Sequence, residues 1–122
     1  MLDWQLLRSR ANDDEEFRMH ARFWNSTIRL GIGNEKQKLS IEGGEILSIE
    51  PWGRSVAGDL SIQAPIADWD ALLEAMPKPF YQDLYAASLH HGFDVLGNVK
   101  NFCAYYPAIR RLIEVMREVK NV

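Results

Sequence analysis

The chain has 122 residues, enough for one domain with a real core, and its 47% hydrophobic and 25% charged content is an ordinary globular balance rather than a disordered one. Its net charge is −3, and Arg110-Arg111 is the only adjacent basic pair, which argues against a nucleic-acid surface. A single cysteine, Cys103, excludes an intrachain disulfide and a cysteine-based metal cluster. No apolar run approaches the ~20 residues of a membrane span. Met1-Leu2-Asp3-Trp4 has neither the charged nor the apolar region of a signal peptide, and Lys120-Asn121-Val122 is not a peroxisomal address, so a cytoplasmic protein is expected.

Leu2 to Arg10, with Trp4, Leu6 and Leu7, reads as a short helix. Asn12 then suits the cap of a second helix, with Glu15 three residues on as in a capping box and the acids Asp13 to Glu16 matching the helix dipole. That helix carries Phe17, His20, Ala21 and Trp24 on one face and is expected to end near Trp24-Asn25. Ile28, Leu30 and Ile32 alternate with Arg29 and Gly31 in a first strand. Gly33-Asn34-Glu35 turns the chain into a second strand through Leu39 and Ile41. A loop or bulge at Glu42-Gly43-Gly44 is expected to set Leu39 opposite Leu47 in a third strand, Glu45 to Glu50, because a one-residue slip would expose every apolar side chain. Pro51-Trp52-Gly53-Arg54 reads as a loop, and Asp59 to Ala64 as a fourth strand stopped by Pro65.

Asp68 suits the cap of a helix through Trp69, Leu72, Leu73 and Met76, which Pro77 ends. Pro79 fits the first position of the next helix, whose Phe80, Tyr81, Leu84, Tyr85, Ala87 and Leu89 cover more than half its circumference. Phe93, Asp94 and Val95 alternate as a fifth strand, and Gly97-Asn98 turns it. The period then changes to about 3.6. Val99, Phe102, Cys103, Tyr106, Ile109, Ile113 and Met116 share one stripe of a helix over residues 99–119, read as a single helix kinked at Pro107.

The polar motifs point away from catalysis. On a strand, His90 and His91 would face opposite sides and could not chelate one ion, and a His90–Asp94 pair alone is thin support for acid–base work. Cys103 on the apolar stripe reads as a small buried hydrophobe without a base to activate it. Neither Gly31-Ile32-Gly33 nor Gly92 to Gly97 has the context of a phosphate loop. The surplus of aromatic and Met positions on helices that flank one sheet favours an apolar pocket over a solid core.

The order of elements, with Ala67-Asp68-Trp69-Asp70-Ala71-Leu72-Leu73 as a short acidic-capped helix and Gly92-Phe93-Asp94-Val95-Leu96-Gly97-Asn98 as a glycine-bracketed strand, resembles a sterol carrier protein type 2 (lipid-transfer) domain. The resemblance runs from Phe17 to Val119. Asn98 stands where that family usually has Asp, and Pro77-Lys78-Pro79 and Pro107 are departures. It implies an apolar ligand held in a tunnel between sheet and helices, with no catalytic set.

The expectation is therefore a single α+β domain over residues 1–122: a five-stranded, mainly antiparallel sheet covered on one face by helices, with the last helix closing an apolar cavity. Its expected role is non-catalytic binding or transfer of a sterol, fatty acyl chain or terpenoid, without cofactor, metal, nucleic acid or transmembrane segment; a homodimer is left open. The expected lining is Leu72, Met76, Phe80, Leu84, Phe102, Tyr106, Ile109 and Met116. The segment after Pro107 is expected to act as a lid through Ile109, Ile113 and Met116. The alternative is a small cone-shaped isomerase or dehydratase using His20, His90 or Asp94, disfavoured because its long helices would come first.

Overall fold

The structure is a computed structural model that describes residues 1–52 and 60–122. The chain runs α1 (Trp4–Asp13), α2 (Glu15–Ala21), β1 (Ser26–Ile32), β2 (Glu35–Glu42), β3 (Glu45–Pro51), β4 (Leu60–Ala64), α3 (Ile66–Leu72), α4 (Leu84–His90), β5 (Asp94–Gly97), α5 (Val99–Ala104) and α6 (Tyr106–Lys120). The strands form one sheet in the order β3-β2-β1-β4-β5. All neighbours are antiparallel except β1 and β4, which run parallel. The expected α+β class with a mainly antiparallel sheet is what the chain adopts. Of the sequence-expected features, Gly53, Arg54 and Asp59 lie outside the described residues.

Alternation decides which face of the sheet is covered. Ile28, Leu30 and Ile32 on β1, Leu39 and Ile41 on β2, and Leu60 and Ile62 on β4 are buried in one core with Leu7 of α1, Phe17 of α2, and Ile109, Leu112 and Met116 of α6. Arg29 and Lys38 pair across the opposite face. α6 buries seven of its residues and is the main helical wall of the core. Among the described residues, no helix is long and apolar enough to cross a membrane.

Several local expectations are corrected. Gly43 and Gly44 both take positive φ, +57° and +82°, so the β2–β3 hairpin closes in two residues with Ile41 opposite Ile46. The register shift comes one step later, setting Ser40 against Ser48 and Leu39 against Ile49. Leu47, expected opposite Leu39 in the core, is the residue the bulge turns out to solvent. The bulge thus keeps both Ile46 and Ile49 against the core, which an unbroken register could not do.

Asp14, rather than Asn12, caps α2 by accepting from Phe17 N at 2.8 Å. The Asn12 amide instead pairs with the Ile46 backbone at the free edge of β3, donating to its carbonyl at 3.0 Å and accepting from its N–H at 2.8 Å. That occupies two groups which an edge strand leaves open. α2 stops at Ala21, short of Trp24. The single kinked helix expected after Asn98 is two helices: α5 ends at Ala104 with Tyr105 as its C-cap, and Pro107 sits in the first turn of α6, where its missing N–H costs no hydrogen bond. Pro79 does not begin a helix; α4 starts at Leu84 with Asp83 as its cap.

Candidate functional site

The eight sequence-expected lining residues fall into three layers. Leu72, Leu84, Ile109 and Met116 are fully buried in the core. Phe102 and Tyr106 are half-buried against it. Phe80 is half-exposed, and Met76 is 87% exposed on the loop after α3.

The middle layer is the organising one. The Tyr106 ring meets Phe102 edge-on at 5.4 Å and Tyr85 at 6.4 Å, so α4, α5 and α6 converge there. Its hydroxyl accepts from Tyr85 N at 2.9 Å, at the start of α4. Burial holds the Tyr106 phenol above its ordinary range, and the Asp83 carboxylate adds to the effect. Tyr85 and Leu89 of α4, Leu96 of β5 and Val99 of α5 are exposed apolar side chains.

α5 is tied to the other side of the molecule. Trp24, fully buried, donates its indole N–H to Asn101 Oδ1 at 2.8 Å and stacks on Tyr105 with centroids 5.2 Å apart. Tyr105 donates its hydroxyl to the Phe23 carbonyl at 3.0 Å. Asn98 caps α5 at Asn101 N, the role its side chain supports as well as Asp would.

The histidines are not on a strand, as expected, but close α4: His90 is its last residue and His91 its C-cap. His90 stacks on Phe80 at 4.0 Å and His91 on Tyr81 at 3.7 Å. Tyr81 in turn donates its hydroxyl to Asp68 Oδ1 at 2.8 Å, which holds the phenol pKa up. Asp68 therefore does not cap α3, whose N-terminus at Pro65 has no side-chain cap. Sequence reasoning missed this cluster, because the chain must fold back at Phe80 to bring Phe80-Tyr81 onto His90-His91. Cys103, expected in the core, is exposed because α5 turns that face outward.

The residues of the isomerase alternative do not share a site. His20 lines an open groove of about 360 Å³ with Glu16, Tyr106, Pro107, Arg110 and Glu114. Asp94 lines a separate groove of about 340 Å³ with Gly31, Gly33, Gln63 and Gly92, and His90 is stacked on Phe80. Among the described residues, no group of three His, Cys, Asp or Glu is placed to hold a metal ion.

No protein-family profile matches the sequence, and no curated protein matches it significantly. Solved structures do. Sterol carrier protein 2 superimposes with a TM-score of 0.79 over 98% of this chain and 97% of its own, at 21% identity. The chain has the sterol carrier protein 2 fold. A Thermus thermophilus protein described as possibly a sterol carrier protein shares that fold at a TM-score of 0.74 and 21% identity, over 94% of this chain and 84% of that one. The apo form of Yarrowia lipolytica sterol carrier protein 2 matches at 0.57 and 14% identity, over 93% and 88%.

Proposed function

We propose that this protein binds and carries a lipid-like apolar small molecule such as a sterol, a fatty acyl chain or a terpenoid, without catalysing its conversion. The observation that carries the reading is the aromatic junction at Tyr106, where the half-buried rings of Phe102 and Tyr106, packed against the apolar core, meet the exposed ring of Tyr85. In this reading the floor is Leu72, Leu84, Ile109 and Met116, the wall Phe102 and Tyr106, and the rim Phe80 and Met76. The kinship in fold with sterol carrier protein 2 supports it. The setting proposed for the carrier is the cytoplasm.

Burial of ligand surface supplies the driving force. At roughly 25 cal/mol per Å², a few hundred Å² of apolar ligand gains several kcal/mol before losses of motional freedom. The decisive experiment is a thermal-shift titration with fatty acids, sterols and terpenoids. A ligand that binds the folded state raises the midpoint with concentration by mass action. No shift with any of them, at concentrations up to their solubility, would remove the reading.

A further inference from the structure

We infer that residues 78–91, the loop before α4 together with α4 itself, form the gate of the apolar site, a strap clasped at both ends that swings out as a unit. The inference rests on the proposed carrier function for what passes the gate, and on geometry for the motion.

α4 is weakly seated. Of its seven residues only Leu84 and Ala87 are buried, while Tyr85, Leu89 and His90 are exposed. Such a short helix gains little from its own ladder and depends on what its ends touch. At its start, Asp83 accepts from Ala86 N at 2.8 Å and the Tyr106 hydroxyl accepts from Tyr85 N at 2.9 Å. At its end, the preceding loop folds back so that Phe80 and Tyr81 stack on His90 and His91. The Tyr81 hydroxyl then pins the pair to Asp68 on α3. Arg117 of α6 adds one long contact to the Gln82 carbonyl, 3.4 Å.

These clasps are polar or stacked, and they sit at the perimeter. Two of them are poised for release. Phe80 holds a φ of +67°, a left-handed conformation that a bulky residue adopts only against strain. Among the described residues, the buried Nε2 atom of His91 has no hydrogen-bond partner. Pro77 and Pro79 stiffen the chain on one side, and Gly92 ends the strap on the other. Gly92 is packed so closely that a Cβ there would stand 2.6 Å from Asp68 Oδ2.

The contrast with α6 assigns the gate to α4. The sequence pointed to the segment after Pro107 as a lid, but α6 is anchored along its whole length. Arg111 grips Asp14, Arg117 donates twice to the Leu72 carbonyl at 2.8 and 3.1 Å, Lys120 pairs with Asp70 at 2.8 Å, and Asn121 donates to the Leu73 carbonyl at 2.7 Å. Moving α6 would withdraw seven core residues; moving the strap withdraws only Leu84 and Ala87 and frees the Tyr106 ring and Phe102 beside it.

Hydrogen exchange on the ligand-free protein tests the motion, with α6 amides as the internal control for folding. Amides of α4 should exchange at least tenfold faster than those of α6. Tyr81→Phe keeps the ring stack but removes the bond to Asp68, and should speed α4 exchange about fivefold while α6 is unchanged. Equal protection of α4 and α6, or acceleration of both together in Tyr81→Phe, would overturn the gate. Entry is read separately from the association rate of a fluorescent polyene fatty acid, which Tyr81→Phe should raise severalfold. An unchanged rate beside faster α4 exchange would also overturn it. Absence of any probe binding would remove the carrier function and leave the exchange result to stand on its own.

Discussion

Asp14 and Arg111, 97 positions apart, hold each other by two parallel hydrogen bonds, Nε to Oδ2 at 2.9 Å and Nη2 to Oδ1 at 2.8 Å. The same carboxylate caps α2 at Phe17 N. One side chain thus both starts a helix and ties it to α6. The hydrogen bonds from Arg111 hold the Asp14 carboxyl below its ordinary range, against the opposing effect of burial. Asp14→Ala should cost about 1–2 kcal/mol from the lost cap, and the lost pair adds at most about 1 kcal/mol because it is partly exposed. Arg111→Ala should cost less, since the cap survives. A carboxylate whose folded pKa is depressed contributes stability above its unfolded value and loses it as pH falls through the folded one. In denaturant melts, the gap between wild type and Arg111→Ala should therefore close below about pH 4. A gap that stays constant down to pH 2 would refute the coupling.

The Asp14 cap also marks where the sequence was legible. Both Asn12 and Asp14 precede acids three residues on or nearby, and local rules favour either. The choice is made by Arg111 and by the open edge of β3, which takes the Asn12 amide. The strands and their hydrophobic faces were readable because a period of two has only one inward phase. The position of the bulge was not, since the neighbours Ile46 and Leu47 have equal local claims on the core and only packing on the helices separates them. The stripe from Ile109 to Met116 marked the buried face of α6 correctly, but Val99 and Cys103 are exposed because the chain resets its phase at Tyr105. The stacked pairs at His90 and His91 depend on a fold-back at Phe80, which no periodicity signals.

Gly43 and Gly44 differ in what a methyl group would meet. At Gly43 nothing among the described residues lies within 4 Å, so Gly43→Ala is expected to carry only the left-handed penalty of about 1–2 kcal/mol. At Gly44 a Cβ would stand 3.0 Å from the Arg18 carbonyl and 3.1 Å from Arg22 Cα, both backbone. Gly44→Ala should be the more destabilising, because the hairpin tip would have to lift off α2. Denaturation midpoints of the two variants decide this, and equal midpoints would show that the tip is free to shift.

Met116 and Met76 were expected to line one site, and their surroundings predict opposite responses. Met116 is fully buried among α6 core residues, so Met116→Ala should cost about 2–5 kcal/mol. Met76 is 87% exposed, and Met76→Ala should stay within about 0.5 kcal/mol. If Met76 is rim to a lipid site, its variant should weaken a fatty-acid thermal shift without lowering the ligand-free midpoint. A Met116→Ala cost well below that range would mean that its side chain borders empty space rather than packed neighbours.

Asn101 carries the attachment of α5, and its replacement separates shape from polarity. Trp24 is fully buried, and the partner shown for its indole N–H is Asn101 Oδ1. Asn101→Ala leaves that donor in the core, at a cost of about 1–3 kcal/mol. Asn101→Asp keeps an acceptor in place and should recover most of the loss at neutral pH, where the carboxylate is ionised. Because Tyr105 stacks on the same indole, loosening α5 should also change the environment of Trp24. Its fluorescence should shift to the red and become more accessible to a quencher in Asn101→Ala, while Asn101→Asp stays near wild type. If Asn101→Ala matches wild type in both midpoint and emission, the indole has found another partner and α5 is held by Tyr105 and the Phe23 carbonyl instead.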